Sequence, residues 1–230
     1  AYAEVEDRIS YDPEFSWNYE LGGKSSVNTK FASLNFRYAV FYTSIRDIQL
    51  SVLADSYGLG RMMKNAGRST SCGGEFSMDG SVSLCGESLK TSDFNRLKSR
   101  LFWTANYSFT HTKFLDNKRV PYIPAHIVNA SIGYGMGRYS IEVMMNGRGR
   151  IYWDEANTLS QPFYAQLGAR VSADFGKARV TVWTRNILNY RPTVFAFASE
   201  QPTSTGQTAT TLFGQQGEPF MVGVDFHVAF

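Results

Sequence analysis

The sequence predicts an all-β chain, an antiparallel transmembrane β-barrel segment of about nine strands. Three observations carry this. Segments of about ten residues alternate apolar with polar at a period of two, helical patterning is almost absent, and the apolar face of each segment is free of Asp, Glu, Lys and Arg. Composition agrees: aromatic residues reach 15% and charged residues only 19% of the 230, and no stretch is long and apolar enough for a membrane helix. A net charge of +3 is too mild and too dispersed to point to nucleic acid.

The segments follow in chain order. Trp17, Tyr19 and Leu21 oppose Asn18, Glu20 and Lys24; Leu34, Phe36, Tyr38, Val40 and Tyr42 oppose Asn35 and Arg37. Gly74, Phe76, Met78 and Val82 oppose Glu75, Ser77, Asp79 and Ser81. Leu101, Trp103, Ala105, Tyr107 and Phe109 oppose Thr104, Asn106, Ser108 and Thr110; Val128, Ala130, Ile132 and Tyr134 oppose Asn129, Ser131 and Gly133. Tyr139, Ile141, Val143, Met145 and Ile151 alternate with Arg138, Ser140, Glu142, Asn146, Arg148 and Arg150. Phe163 to Phe175 and Ala178 to Arg185 keep the rule, and Val222, Val224, Phe226, Val228 and Phe230 close the chain against Gly223, Asp225, His227 and Ala229.

Strands of about nine to thirteen residues suit a tilted bilayer crossing better than a soluble sandwich, whose strands run nearer five or six. Arg or Lys facing lipid costs about 2 to 4 kcal/mol near the midplane, so the apolar face is the outer one and the charged face lines a wet lumen. Tight turns at Gly135-Met136-Gly137 and Gly176-Lys177 alternate with long connections at Leu115 to Pro124, Trp153 to Pro162 and Ala196 to Gly217. That is the pattern of short periplasmic turns and longer extracellular loops. Tyr107, Phe109, Tyr134, Tyr139, Phe163 and Phe175 fit interface girdles. Leu84 to Arg100 breaks the pattern, being long where a short turn is due, and Ser92 suits the cap of a short helix there. Nine strands cannot close an up-and-down barrel, so either a strand is hidden, in Ala1 to Tyr11 or by a hairpin at Asp79-Gly80, or the chain is part of a larger barrel.

The residues also resemble a family. Asp12-Pro13-Glu14 with Ser16-Trp17-Asn18-Tyr19-Glu20-Leu21-Gly22-Gly23-Lys24, then Lys64-Asn65-Ala66-Gly67 with Gly74-Glu75, are similar to motifs of TonB-dependent outer-membrane receptors. So are Tyr107-Ser108-Phe109-Thr110, Val120 to His126, Arg185-Asn186-Ile187-Leu188-Asn189 and the final strand ending in Phe230. The resemblance implies residues 1–230 as the C-terminal part of a 22-stranded barrel, without the plug domain and TonB box. It implies a bacterial outer-membrane location and active uptake of a scarce nutrient such as a ferric siderophore, haem, cobalamin or a glycan. The implied partners are the remaining strands and plug, on the same or a separate chain, and the TonB complex acting through the plug. The assembly machinery, lipid and lipopolysaccharide complete them. A self-contained small outer-membrane barrel with an adhesive or structural role is the alternative.

Arg148, Arg150, Arg170, Arg179 and Arg185 point inward with Glu142 and Asp174, as a lumen wall of ion pairs against the plug or as an anion-attracting surface for an acidic ligand. Tyr152, Trp153, Phe195 and Phe197 are loop aromatics able to stack on a ligand or anchor loops at the headgroups. Phe226, Val228 and Phe230 resemble the terminal signal read by the assembly machinery. His111, His126 and His227 are scattered without metal-ligand spacing, so no metal or cofactor is expected. No nucleophile motif points to an enzyme. Cys72 and Cys85 lack metal spacing, and their pairing stays open.

Overall fold

In a computed structural model the described residues are 11–53, 61–65, 67–84, 99–114, 117–202 and 207–229. Nine strands form one antiparallel sheet. In chain order they are β1 (Phe15–Asn28), β2 (Ala32–Arg46), β5 (Ser69–Ser83), β6 (Ser99–Phe114), β7 (His126–Met136), β8 (Tyr139–Arg148), β11 (Tyr164–Asp174), β12 (Ala178–Arg185) and β15 (Met221–Val228). Each pairs with its neighbour in that order, so the sheet is an up-and-down meander whose edges are β1 and β15. Three short ribbons extend it at one end: β3 (Gln49–Leu53) with β4 (Arg61–Asn65), β9 (Ile151–Tyr152) with β10 (Ser160–Gln161), and β13 (Thr193–Pro202) with β14 (Thr208–Gln216).

Cross-strand register sorts the side chains into two faces, because directly opposed residues point the same way. One row runs Leu34, Gly80, Trp103, Ile132, Val143, Ala169, Thr184 and Val222 across eight strands. Ile132, Val143 and Val222 of this row stand in the open, as do Leu21 and Phe226, each 75% exposed. The opposite face carries Glu142, Arg170 and Trp183 on one row and Asp174 and Arg179 on another. A single layer with its apolar side outward has no interior core. Among the described residues the buried apolar groups are few and sit at the ribbon end, where Ile48, Phe114 and Val120 pack with Ile45 and Leu50.

The turns opposite the ribbons are tight for local reasons. Gly137 and Gly176 take positive φ (59° and 85°), the left-handed conformation these reversals require. Asp174 Oδ1 accepts from Gly176 N at 2.9 Å, and Thr29 Oγ1 accepts from Ala32 N at 2.9 Å in the β1–β2 turn.

Several sequence expectations change. Asp79-Gly80 lies inside β5, so it is no hairpin: Asp79 is held by Asn35 Nδ2 (2.8 Å), and Gly80 gives room to the ring of Trp103 on the next strand. Gly135 and Met136 belong to β7, leaving Gly137-Arg138 as the turn. Ile151 is not in the same strand as Tyr139, since β8 ends at Arg148. Ala196 to Gly217 is largely a paired ribbon rather than an open loop, its polar Thr, Gln and Ser residues disguising the alternation. β1, β2, β5 and β6 run 14, 15, 15 and 16 residues, longer than expected, extending past the apolar band toward the ribbons. Ala1 to Ser10, the segment around Ser92, Cys85 and Phe230 lie outside the described residues.

Candidate functional site

Two surfaces gather the residues that sequence reasoning singled out. The first is the inner wall. Arg170 Nε donates to Glu142 Oε2 at 2.7 Å, and Glu142 is only 7% exposed. Arg179 Nε donates to Asp174 Oδ2 at 3.0 Å, and Arg37 Nη2 reaches Asp79 at 3.4 Å. Ser77 donates to Asn106 Oδ1 at 2.7 Å, and Thr43 to Asn18 Oδ1 at 2.7 Å. A hollow of about 330 Å³ opens among Arg37, Ala39, Glu75, Ser77, Asn106, Ser108 and Asn129.

This pairing reshapes the expected row of five arginines. Arg170 and Arg179 are neutralised by carboxylates on adjacent strand positions, and Arg185 lies 4.8 Å over the ring of Trp183. Arg148 shares the face, opposite Tyr164 and Ile127, and forms no ion pair among the described residues. Arg150 falls between β8 and β9, exposed, its carbonyl accepting from Ala125 N at 3.3 Å. The wall is a laced surface with local positive points rather than one uniform positive strip.

The second surface is at the ribbon end, where three connections are tied together. Asp154 closes the β9–β10 turn by accepting from Thr158 N (3.0 Å), Thr158 Oγ1 (2.6 Å) and Leu159 N (2.8 Å). Asn157, at φ 58°, binds Arg119 through both amide atoms, accepting from its N at 2.7 Å and donating to its O at 3.0 Å. Gln161 Oε1 accepts from Thr193 N at 2.8 Å, fastening β10 to β13. These ties bring five aromatic rings into sequential contact. Tyr122 meets Trp153 at 5.8 Å and Phe195 at 6.4 Å, Phe195 meets Phe197 at 5.8 Å, and Phe197 stacks on Phe213 at 5.1 Å.

Trp153, Phe195 and Phe197 thus come together as one cluster. Tyr152 takes part through its backbone, its carbonyl accepting from Tyr122 N at 2.8 Å. Tyr122 and Phe213 were not singled out as site residues. Tyr122 follows Pro121 and takes φ 66°, and Phe213 pairs with Phe197 across the ribbon; no local sequence pattern marks either as part of the cluster. Trp153 is 8% exposed and its Nε1 has no hydrogen-bond partner among the described residues. A stack of aromatic faces with one unused buried donor suits a flat, partly polar molecule.

The remaining candidates are placed apart. His126 is on the outer face, its Nδ1 2.8 Å from Tyr107 Oη; His111 faces Cys72 across β5 and β6; His227 is opposite Arg179 on the inner face. No group of three metal-ligating side chains occurs among the described residues. Phe226 and Val228 are on the outer face of β15.

The motifs explain themselves as clamps. Asn186, at φ 49° and 4% exposed, donates to Tyr190 O and Glu218 O (both 2.9 Å) and accepts from Tyr190 N at 3.1 Å. Asn189 Oδ1 accepts from Phe220 N at 2.9 Å. The two asparagines of Arg185-Asn186-Ile187-Leu188-Asn189 therefore pin the long connection where it rejoins the sheet.

The sequence model of a family described as "TonB dependent receptor-like, beta-barrel" matches residues 7–189. Among solved structures the chain is similar to the ferric yersiniabactin uptake receptor FyuA from Yersinia pestis, with a TM-score of 0.64 and 21% identity over 94% of this chain and 30% of that one. It is also similar to the siderophore receptor PiuA from Acinetobacter baumannii (0.63, 15% identity, 94% and 28%) and to the copper transporter OprC (0.62, 14%, 96% and 32%). The chain spans just under a third of the length of these structures, and at such identities the likeness is one of fold.

Proposed function

This chain belongs to the TonB-dependent receptor-like β-barrel family, and we propose that it supplies the C-terminal part of the barrel of a receptor for active uptake of a scarce nutrient. Members of the family are outer-membrane proteins of Gram-negative bacteria, and the family is one of receptors and transporters. The observation that carries the reading is the sheet's division of faces: an apolar side that lipid can cover, and an inner side laced by Arg170–Glu142 and Arg179–Asp174 that a plug domain can pack against. Energy then enters through the plug and the TonB complex. The ribbon-end cluster of Tyr122, Trp153, Phe195, Phe197 and Phe213 is the first contact for the nutrient, with Arg148 and Arg185 drawing an acidic one inward. The similar structures named for siderophores and copper favour a metal chelate over haem, cobalamin or a glycan. Assembly proceeds through the strand ending in Phe226 and Val228, with lipid and lipopolysaccharide on the outer face.

A self-contained small barrel is disfavoured because, among the described residues, β1 and β15 are both edges of a sheet of nine strands. The test is uptake of labelled ferric siderophores, copper chelates, haem, cobalamin and glycans by cells carrying the complete receptor, with and without a functional TonB complex. One class should enter only when TonB is energised. Uptake of every class unchanged on loss of TonB, or a native mass equal to this chain alone, overturns the reading.

A further inference from the structure

The connections β6–β7, β8–β11 and β12–β15 are joined to one another by bonds that skip along the chain. Between the first and the second, Lys118 Nζ donates to Ala156 O at 3.1 Å, and the Asn157 side chain accepts from Arg119 N and donates to Arg119 O. Tyr122 N and Ala125 N add bonds to Tyr152 O at 2.8 Å and Arg150 O at 3.3 Å. Between the second and the third, Gln161 Oε1 accepts from Thr193 N at 2.8 Å while its Nε2 donates to Tyr190 Oη at 3.3 Å. The first and the third meet directly where Tyr122 stacks on Phe195 at 6.4 Å. Each connection is thus held by the other two, in a closed triangle.

Burial stiffens the joints. Gln161 is 5% exposed, and Asn186, which knots the root of the third connection, is 4% exposed. A buried amide that loses its partner has no water to replace it, so such a joint opens only when its surroundings open with it. A triangle adds cooperativity: with two sides made, the third forms without ordering any further chain, and losing one side loosens the other two. Groups linked in this way open as a single unit.

We infer that these three connections open and close as one body, with Asn157 and Gln161 as the positioning residues that hold the Tyr122–Phe195 contact in place. Any closure over the lumen carries all three together, and the ring cluster meets a ligand already formed, without a separate ordering cost. That consequence rests on the cluster being the nutrient's first contact; the coupling does not.

The test is native-state hydrogen exchange of the complete receptor in nanodiscs, without nutrient. It is read at one amide in each connection whose acceptor lies in the same connection: Phe114 (to Lys118 O, 3.0 Å), Trp153 (to Leu159 O, 2.9 Å) and Gly217 (to Pro192 O, 2.8 Å). In urea below the global transition their opening free energies should converge on one value, lower than that of amides at the centre of β7. Three separate values overturn the inference without any variant. Asn157→Gly tolerates the positive φ and removes the bonds to Arg119, so exchange at Gly217 should speed about tenfold, by the same factor as at Trp153. Gln161→Ala should act equally far in the other direction, at Phe114. The amide of Phe175, bonded to Ala178 O at 2.7 Å in the opposite turn, should keep its rate in both variants. Acceleration confined to the bonds each side chain makes overturns the inference, as does acceleration that reaches Phe175 equally, which would be a general loosening of the barrel.

Discussion

The Asn65 side chain holds the backbone of Asp12 from both sides, Oδ1 accepting from Asp12 N at 2.8 Å and Nδ2 donating to Asp12 O at 3.0 Å. The same Nδ2 donates to Asp47 O at 2.7 Å, and Gln49 Nε2 adds a bond to Asp12 O at 3.1 Å. Two motifs 53 residues apart, Asp12-Pro13-Glu14 and Lys64-Asn65-Ala66-Gly67, are thus the two halves of one clamp at the head of β1. Replacing one side of such a clamp leaves backbone groups to find water, at about 1 kcal/mol for each bond lost. Asn65→Ala should therefore speed hydrogen exchange at the amide of Asp12 by tenfold or more, while amides at the centre of β7 keep their protection. Equal rates in the two proteins would show that the clamp contributes nothing.

Glycines opposite aromatic rings set a second expectation. The three atoms nearest a Cβ on Gly223 all belong to the Trp183 ring, whereas a Cβ on Gly133 would overlap Phe102 and also lie 3.0 Å from Ile141 O. Overpacking of this kind costs about 1–3 kcal/mol. In urea titrations of the complete receptor in vesicles, Gly223→Ala should destabilise and Trp183→Ala on top of it should restore most of the loss. Gly133→Ala combined with Phe102→Ala should recover less, because the backbone contact remains. Identical recovery in both pairs would count against this account.

Much of this architecture is legible in the sequence because lipid enforces it. An outer-facing charge costs more than a single strand can recover, so Val143, Ile141 and Tyr134 announce their face without any structural knowledge. The ribbons escape detection for the converse reason. Thr208 to Gln216 is exposed along its whole length, so nothing selects an apolar alternation there, and its pairing with β13 is set by register alone. The aromatic cluster is invisible for a third reason. Tyr122, Trp153 and Phe195 are on separate connections, brought together by side-chain ties from Asn157 and Gln161 that no local pattern encodes. The arginine row was half legible: its face follows from alternation, but which members are neutralised depends on the strand-to-strand offset that puts Glu142 opposite Arg170.

That offset makes the Glu142–Arg170 pair asymmetric. The Glu142 side chain is 9% exposed and that of Arg170 is 50% exposed. Removing the arginine strands a nearly buried acid, while removing the acid leaves a cation that water can reach. Arg170→Ala should cost about 1–3 kcal/mol more than Glu142→Gln. The double variant should be more stable than Arg170→Ala alone, as read by urea midpoints in vesicles. Equal costs for the two single changes would mean that the acid is solvated through the lumen.

Orientation toward lipid is tested on a single strand. Val143 is central in β8 on the outer face, and Tyr139 is at its first residue on the same face. Val143→Arg should destabilise the folded barrel by about 2–4 kcal/mol and Tyr139→Arg by about 0–1, the gradient expected from bilayer depth. A flat profile along β8 would place this face away from the acyl chains.

The last expectation separates packing from recognition at Trp153. Its ring packs against Tyr122 at 5.8 Å, and its buried Nε1 has no partner among the described residues. An unpaired donor in that position costs about 1–3 kcal/mol, a cost already present in the unliganded protein. Trp153→Phe keeps an aromatic ring and removes the donor, so it should leave stability unchanged or raise it by about 1 kcal/mol. Affinity for the nutrient should fall about tenfold, because the ligand loses the indole donor. Trp153→Ala should instead lower both, losing about 3 kcal/mol of packing along with the donor. If Trp153→Phe binds the nutrient as tightly as the wild type, the indole nitrogen has no part in recognition and the ring acts through packing alone.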